Sequence, residues 1–366
     1  MSNHIENNPE FKGLKVNQGI EQPAAVNDDA VKRFLKRRKK LLTADEYVKG
    51  ILDGDISLLS QAVTLVESSK PAHQEIAQEI IVKCLPFAGK SFRLGITGVP
   101  GAGKSTFIEA MGKYITSQGG KLAVLAIDPS SERTKGSILG DKTRMEELSS
   151  DPNAYIRPSP SAGSLGGVAR KTRETIILCE AAGFDHIFVE TVGVGQSETA
   201  VHSMVDFFLL VQIAGAGDEL QGIKRGIMEM ADAIIINKAD GNNIERAQLA
   251  KAQFENALHL FPPAPSGFNP KVLTISSLHK QGMNTVWDLI KDYQDATNKN
   301  HYFEHRRSEQ AKYWMYESIN ETLKNSFYNQ TDMKERLKDF EAKVLKSELS
   351  SFVAARQLLD IYFENK

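Results

Sequence analysis

A glycine-rich loop lies between a short apolar run and a helical one in the sequence RLGITGVPGAGKSTFIEAM, residues 93–111. The loop fits the pattern G-x-x-x-x-G-K-[ST], which joins a strand to a helix and turns backbone N–H groups inward. Its glycines permit backbone angles that other residues disfavour. The helix that follows presents its N-terminus, which favours anions. The stretch therefore predicts an α/β fold with a phosphate-binding loop.

Five further short apolar runs follow the first, with helical patterns between them. They are LAVLAID, HIFVET, FFLLVQI, AIIINKAD and KVLTIS. Because these runs are largely apolar on both faces, we expect the strands of a parallel sheet that helices cover on both sides. The sequence therefore predicts an α/β fold with a mostly parallel, doubly wound sheet over about 91–295.

The regions outside this predicted sheet have other patterns. The prediction is a flexible basic tail at 1–42, a helical region at 43–90, a nucleotide-binding domain at 91–295 and a helical region at 296–366. Thr43 and Glu46 have the spacing of a capping box. The last region carries apolar residues four apart, at Met315, Ile319, Leu323 and Phe327. These helices could pack on their own domain or on a second subunit.

Composition narrows the classes of partner. The net charge of −1 gives no general attraction to nucleic acid or to an anionic membrane. Cys84 and Cys179 are far apart in apolar runs, as expected of reduced core thiols in a cytosolic protein. We expect no secretory signal and no membrane span. The basic run at 32–40 could be a solvated helix face or a docking patch for an acidic partner.

The predicted phosphate-binding residues are consecutive. They are Gly98, Val99, Pro100, Gly101, Ala102, Gly103, Lys104, Ser105 and Thr106. Lys104 brings a positive charge to the β- and γ-phosphates, and the Ser105 hydroxyl is the predicted Mg²⁺ ligand. Thr106 continues the helix N-terminus, whose dipole favours negative charge.

A second motif points to the base. Asn237, Lys238 and Asp240 form the pattern N-K-x-D at the end of a predicted strand. The Asp240 carboxylate can accept hydrogen bonds from guanine N1–H and the exocyclic amine, whereas adenine would leave it unpaired. The motif therefore favours GTP and GDP as ligands. A third loop that could also contact the base follows the last predicted strand, at Ser276, Ser277 and Leu278.

The run HIFVET ends in a second acidic motif. Glu190 is followed three residues later by Gly193, which gives E-x-x-G. We expect the carboxylate to hold Mg²⁺ and the glycine N–H to sense the γ-phosphate. Val194 stands where Ras-like GTPases carry a glutamine that orients water, so we expect slow intrinsic turnover. Gln196 lies close by and stays a candidate for that function.

Two more segments carry candidate residues. Asp128 and Asp141 fall between the phosphate loop and Glu190, where they could hold Mg²⁺ or serve as turn and cap residues. The glycine-rich segment 212–226 could be a mobile loop from which Lys224 or Arg225 reaches the γ-phosphate, or a charged surface loop.

Six segments together resemble the MeaB/ArgK family of P-loop GTPases. They are GVPGAGKST, AIDPSS, LGDKTRM, ETVGVGQSE, GAGDELQGIKRG and NKAD, and the likeness runs from about residue 43 to the C-terminal helices. It implies a SIMIBI-type G domain and a GTPase chaperone of methylmalonyl-CoA mutase or a related acyl-CoA mutase. Such a chaperone gates adenosylcobalamin delivery, and protects or reactivates the mutase.

The resemblance also implies individual roles. The Mg²⁺ and switch carboxylates fall on Asp128, Asp141 and Glu190, and Asp218 and Lys224 fall at functional positions of a third switch in the 215–226 loop. The resemblance further implies that the mutase stimulates a low intrinsic GTPase activity. It also implies a homodimer formed through the C-terminal helices.

Two other functions remain open at this point. A GTP-dependent kinase of a transport-system binding protein would need an acceptor site and an acceptor base, and the sequence shows no assignable candidate for either. A metallochaperone GTPase would need a cluster of Cys or His ligands. His301 and His305 have the i, i+4 spacing of metal ligands, which is also typical of a solvated helix face.

Overall fold

The structure is a computed structural model. It describes residues 41–127, 145–158, 165–191, 197–215 and 225–364. The described residues from Thr43 onward belong to one compact unit. The finer division at residues 90 and 295 stays a prediction.

A seven-stranded parallel sheet forms the centre of the described part of the chain. Its strands are β1 (Phe92–Gly98), β2 (Leu122–Ile127), β3 (Ala154–Arg157), β4 (His186–Thr191), β5 (Phe207–Ile213), β6 (Ala233–Asn237) and β7 (Lys271–Thr274). The spatial order is β3-β2-β4-β1-β5-β6-β7, and every neighbouring pair is parallel. The predicted doubly wound parallel sheet is thereby confirmed, with β1 between β4 and β5.

One strand, β3, has no counterpart among the six strands that the sequence predicts. It has only four residues, AYIR, and is an outermost strand of the sheet. Its last residue, Arg157, donates from Nε to Glu67 Oε1 (3.1 Å). A strand this short with a charged end has too few apolar positions to show a period.

Thirteen α-helices surround the sheet in the described ranges. They are α1 (Ala44–Leu52), α2 (Ile56–Glu67), α3 (Pro71–Cys84), α4 (Lys104–Ser117), α5 (Glu146–Ser149), α6 (Leu165–Ala181), α7 (Ser197–His202), α8 (Arg225–Met230), α9 (Ile244–Leu258), α10 (Met283–Lys299), α11 (Tyr302–Asn329), α12 (Thr331–Leu345) and α13 (Ser351–Glu364). None of these helices is long and apolar enough to cross a membrane.

Both faces of the sheet are buried. Leu209 of β5 belongs to the large apolar cluster that includes Phe107 of α4 and Ile290 of α10. The next residue, Leu210, belongs to a second cluster with Phe254 of α9. Because neighbouring strand residues point to opposite faces, this alternation shows helices on both sides.

The helical region before the sheet begins with the predicted capping box. The Glu46 N–H donates to Thr43 Oγ1 (3.3 Å), and the Thr43 N–H donates to Glu46 Oε2 (2.7 Å). These bonds satisfy two donors that a helix N-terminus leaves without intrahelical partners.

The apolar face predicted on α11 is only partly covered by this chain. Phe327 packs against the cluster of Met333, Leu358 and Tyr362, which joins α11, α12 and α13. Met315, Ile319 and Leu323 remain about half exposed, at 52%, 48% and 51%. The first half of α11 instead buries Gln310 and Trp314.

Candidate functional site

The parallel arrangement collects the predicted site residues at one edge of the sheet. Gly98, Thr191 and Asn237 end β1, β4 and β6, and Ser276 follows β7 closely. Because parallel strands all end at the same edge, these residues meet although they are distant in sequence. We call this the carboxyl edge, and the opposite edge the amino edge.

Two glycines of the phosphate loop are fixed by close contacts. Gly103, the N-cap of α4, has φ 85°, and a Cβ there would lie 2.7 Å from Asn237 Nδ2. A Cβ on Gly98 would lie 2.0 Å from the Val211 carbonyl oxygen. The loop therefore lies directly on the ends of β5 and β6, and side chains at these positions would push it away.

Lys104 lies over the loop that precedes it. Its Nζ donates to the carbonyl oxygens of Gly98 (2.9 Å) and Val99 (3.3 Å). Burial lowers the pKa of Lys104, and the nearby charges of Glu190 and Glu198 act in the opposite direction. A partly desolvated ammonium in the first turn of α4 suits a polyanionic ligand.

Oxygen atoms next to the loop suit a magnesium ion. Ser105 Oγ donates to Glu190 Oε1 (3.4 Å). Neighbouring ligands of octahedral Mg²⁺, at roughly 2.1 Å from the ion, lie about 3 Å apart. The two side chains therefore fit a shared ion. The Thr191 hydroxyl donates to Thr97 Oγ1 (2.9 Å), which holds the ends of β4 and β1 together.

Asn237 joins the phosphate loop to the third loop. Its Nδ2 donates to the Ala102 carbonyl oxygen (2.8 Å), and its Oδ1 accepts from Ser277 N (3.0 Å) and Ser277 Oγ (2.9 Å). These contacts use both functions of the side-chain amide, the NH₂ group as a donor and the carbonyl oxygen as an acceptor. The predicted nucleotide-binding residue thus aligns two loops.

Asp240 is held by the third loop. The Ser276 hydroxyl donates to its carboxylate, so the carboxylate has a neutral partner. Lys238 has a left-handed backbone (φ 59°), and its Cε lies 3.9 Å from the Cβ position of Gly103. Leu278 is 73% exposed. The carboxylate and the lysine stem are the groups that recognition of a guanine would use.

Some predicted site residues lie outside the described part of the chain. They are Asp128, Asp141, Gly193, Asp218 and Lys224, and Val194 and Gln196 lie there too. Their predicted functions stay predictions. Among the described residues, no group of three or more His, Cys, Asp or Glu side chains could hold a metal ion, and His301 and His305 belong to no such group.

One buried acidic residue near the loop, Glu198, is not among the residues that the sequence predicts for the site. Glu198 is 6% exposed in the first turn of α7, and its charge raises the pKa of Lys104. Val201, one turn later on the same helix face, lies against Gly95 of β1, where a Cβ would be 2.9 Å from Val201 Cγ1. The sequence feature that could have revealed Glu198 is its position at the end of the motif ETVGVGQSE, eight residues after Glu190.

Comparisons with known proteins extend well beyond the loop. The family model described as "Methylmalonyl Co-A mutase-associated GTPase MeaB" matches residues 59–332. A probable GTPase of Mycobacterium tuberculosis is 46% identical over 319 residues, which cover 87% of this chain and 95% of that protein. GTPase ArgK of Escherichia coli is 44% identical over 316 residues, covering 86% and 96%.

Two further matches concern a mouse protein and a solved structure. The mouse protein named "Methylmalonic aciduria type A homolog, mitochondrial" is 45% identical over 328 residues, which cover 87% of this chain and 79% of that protein. A crystal structure described as an LAO/AO transport system kinase matches with a TM-score of 0.70 at 37% identity, covering 88% of this chain and 99% of that one. The likeness therefore includes the flanking helices as well as the sheet.

Proposed function

Since this chain belongs to the MeaB family of GTPases, we propose that it is a GTP-driven chaperone of an adenosylcobalamin-dependent acyl-CoA mutase of the methylmalonyl-CoA mutase type. In this function, GTP binding and hydrolysis gate adenosylcobalamin delivery, and protect or reactivate the mutase. The observation that carries the proposal is the family match over residues 59–332, which includes the whole sheet and all of α11. The proposed location is the cytoplasm.

The phosphate loop is proposed to bind the phosphates of GTP. Backbone N–H groups of residues 98–106 surround the phosphates, and Lys104 binds the β- and γ-phosphates. The N-terminus of α4 adds its dipole. Ser105 and Glu190, with Asp128 and Asp141, would hold Mg²⁺, which neutralises phosphate charge when it is bound.

Selectivity for guanine is assigned to Asp240. Its carboxylate, oriented by Ser276, accepts from guanine N1–H and the exocyclic amine. Adenine offers neither donor, so a desolvated carboxylate would stay unpaired. Asn237 supports this arrangement indirectly, because it fixes the third loop against the phosphate loop.

Hydrolysis is proposed to depend on the partner protein. Gly193 follows Glu190 in the E-x-x-G motif, and Val194 cannot orient a water molecule as a glutamine does. We assign the stimulated reaction to the glycine-rich loop, where Lys224 reaches the γ-phosphate and Asp218 contributes to the switch. Turnover is then slow until the mutase binds.

The C-terminal helices support a proposed homodimer. A groove of about 740 Å³, lined mainly by apolar side chains, opens between the second half of α11, α12 and α13. At its border Leu345 and Phe363 are 85% and 64% exposed. A second subunit would remove this apolar surface from water. Light scattering should give a dimer mass for the chain and a monomer mass for Phe363→Glu.

GTP turnover with and without an acyl-CoA mutase tests the main proposal. We expect the mutase to stimulate hydrolysis by the wild-type chain. Lys224→Ala should keep GTP binding and lose the stimulation, whereas Lys299→Ala, an exposed lysine at the end of α10, should behave as wild type. Absence of stimulation by every mutase tried would overturn the chaperone proposal.

A kinase is the second candidate function. The name of the solved relative with a TM-score of 0.70 favours it. Labelled GTP separates the two proposals, because a chaperone GTPase releases free phosphate and a kinase leaves a stable phosphoprotein. Label that stays on an added transport-system binding protein would favour the kinase.

A further inference from the structure

The segment Ser203–Asp206 links α7 at the carboxyl edge to the start of β5 at the amino edge. Two of its backbone carbonyl groups accept hydrogen bonds from side chains of α11. Trp314 Nε1 donates to the Ser203 carbonyl oxygen (3.0 Å), and Gln310 Nε2 donates to that of Val205 (2.8 Å). Side chains of α11 thus hold the segment that follows α7 through its backbone carbonyl groups.

A third side chain of α11 holds the end of the same segment. Arg307 donates to both carboxylate oxygens of Asp206, from Nε to Oδ1 (2.8 Å) and from Nη2 to Oδ2 (2.6 Å). The Arg93 N–H also donates to Asp206 Oδ2 (2.8 Å). A bidentate pair to a carboxylate that is 1% exposed fixes both distance and orientation.

These three donors form one face of α11. Arg307, Gln310 and Trp314 follow the spacing i, i+3, i+7, which brings side chains to the same side of a helix. Apolar side chains would be enough if this face only had to pack. Three donors directed at one short segment instead fix its position along the helix.

Helix α7 connects this segment to the nucleotide site. A Cβ on Gly95 of β1 would lie 2.8 Å from Val205 Cγ2 and 2.9 Å from Val201 Cγ1, so α7 and its exit rest directly on β1. Glu198 lies one turn before Val201, on the same face and toward the carboxyl edge. A shift of Ser203–Asp206 would therefore move α7 and this buried carboxylate with it.

We propose that Gln310 and Trp314 are positioning residues for GTP hydrolysis, acting through Ser203–Asp206 and α7. They touch neither nucleotide nor reacting atoms in this proposal. By holding two carbonyl groups directly after α7, they fix the position of this helix. The helix in turn carries Glu198, which lies near the phosphate loop. The proposal concerns the GTPase activity of the chain alone and is independent of the proposed chaperone function.

Two variants that each remove one donor to the segment test the proposal. Gln310→Met nearly keeps the side-chain volume, whereas Trp314→Phe keeps an aromatic ring at this buried position but is smaller than the indole. Single-turnover hydrolysis without a mutase should fall about tenfold in each variant, with GTP affinity within about twofold of wild type. Hydrogen exchange over residues 197–206 should become faster in both.

Controls separate positioning from general stability. Tyr313→Phe keeps the ring that contacts Trp314 and removes a hydroxyl from an exposed position of α11, so it should match wild type in rate and exchange. The double variant should lose less than the product of the two single losses, because both donors hold one segment. The proposal is overturned if the rates stay at the wild-type value, or if they fall with no change in exchange over 197–206.

Discussion

The two edges of the sheet use the same kinds of charged residue in different ways. At the amino edge, three buried or nearly buried ion pairs lie within the chain. They are Arg93–Glu180 (2.8 Å), Arg306–Asp232 (3.4 Å) and Arg307–Asp206 (2.6 Å). Removing one partner of such a pair leaves an uncompensated buried charge. The amino edge is therefore where charge maintains the fold.

At the carboxyl edge, Arg157 of β3 pairs with Glu67, but three charged side chains of the candidate nucleotide site make hydrogen bonds with neutral groups. Lys104 donates to carbonyl oxygens of its own loop, the Ser105 hydroxyl donates to Glu190, and the Ser276 hydroxyl donates to Asp240. A charge bonded to a neutral group can still interact strongly with an ion or a base. Lys104, Glu190 and Asp240 therefore bring charge to the place where the nucleotide is proposed to bind.

Lys104→Ala should give the largest effect and separates the two edges. We expect GTP binding to weaken about a thousandfold, which is about 4 kcal/mol, because a charged phosphate contact is lost. The free energy of unfolding should not fall, since burial disfavours the ammonium. Calorimetric titration and urea unfolding measure the two quantities, with Lys299→Ala as the control. Unchanged GTP affinity would refute the phosphate-loop assignment.

Asp232→Ala makes the opposite prediction at the amino edge. Asp232 Oδ2 accepts from the Phe208 N–H (2.8 Å) and pairs with Arg306. Its loss should lower the free energy of unfolding by about 3 kcal/mol, with GTP affinity within about twofold of wild type. Asp292→Ala removes an exposed carboxylate 4.0 Å from Lys271 and should change stability by less than about 0.5 kcal/mol. A large affinity change with unchanged stability would reverse the comparison.

Asp240→Asn tests base recognition at the carboxyl edge. We expect GTP affinity to fall about a hundredfold, close to 2.7 kcal/mol, because the amide cannot accept both guanine donors. Xanthosine triphosphate, which offers an acceptor instead of the exocyclic amine, should become the better ligand. Competition binding with the two nucleotides measures this, and thermal unfolding should show little change. Equal preference for GTP in the variant would remove Asp240 from base recognition.

His202 of α7 lies between the edges and gives a prediction for pH. Burial, and then the charge of Arg306, lower its pKa to about 4. An unfolded chain takes up this proton near pH 6.5 and the folded chain only near pH 4. The contribution of neutral His202 to the free energy of unfolding is therefore fully present above about pH 6.5 and is lost as the pH falls toward 4.

The expected loss is about 2 kcal/mol, which allows for partial solvent access to the ring. His202→Asn should remove this part of the pH dependence while carboxylates continue to contribute in both proteins. Urea unfolding of the two proteins from pH 7.5 to 4 isolates the difference. Parallel stability curves would show that the ring is accessible to water and that the pKa is ordinary.

Sequence patterns were sufficient for features that depend on neighbouring residues. Strands buried on both faces are continuous apolar runs, which is why six of the described strands could be predicted. The capping box and the phosphate loop are local in the same sense, since their hydrogen bonds or backbone angles involve residues close in sequence. N-K-x-D is recognisable because its residues are nearly consecutive, although its hydrogen bonds reach distant loops. β3 was missed because four residues at a sheet edge show no clear period.

Tertiary structure decided what depends on residues distant in sequence. It placed Asn237 between Ala102 and Ser277, brought Glu198 of α7 beside the phosphate loop, and paired Arg307 with Asp206 across 101 positions. A pattern along the chain cannot reveal such pairs, because strand order and helix packing determine which distant groups meet. The sequence by itself therefore determined the fold class and the ligand-binding motifs, whereas the structure decided how the two edges divide their charges between fold stability and binding.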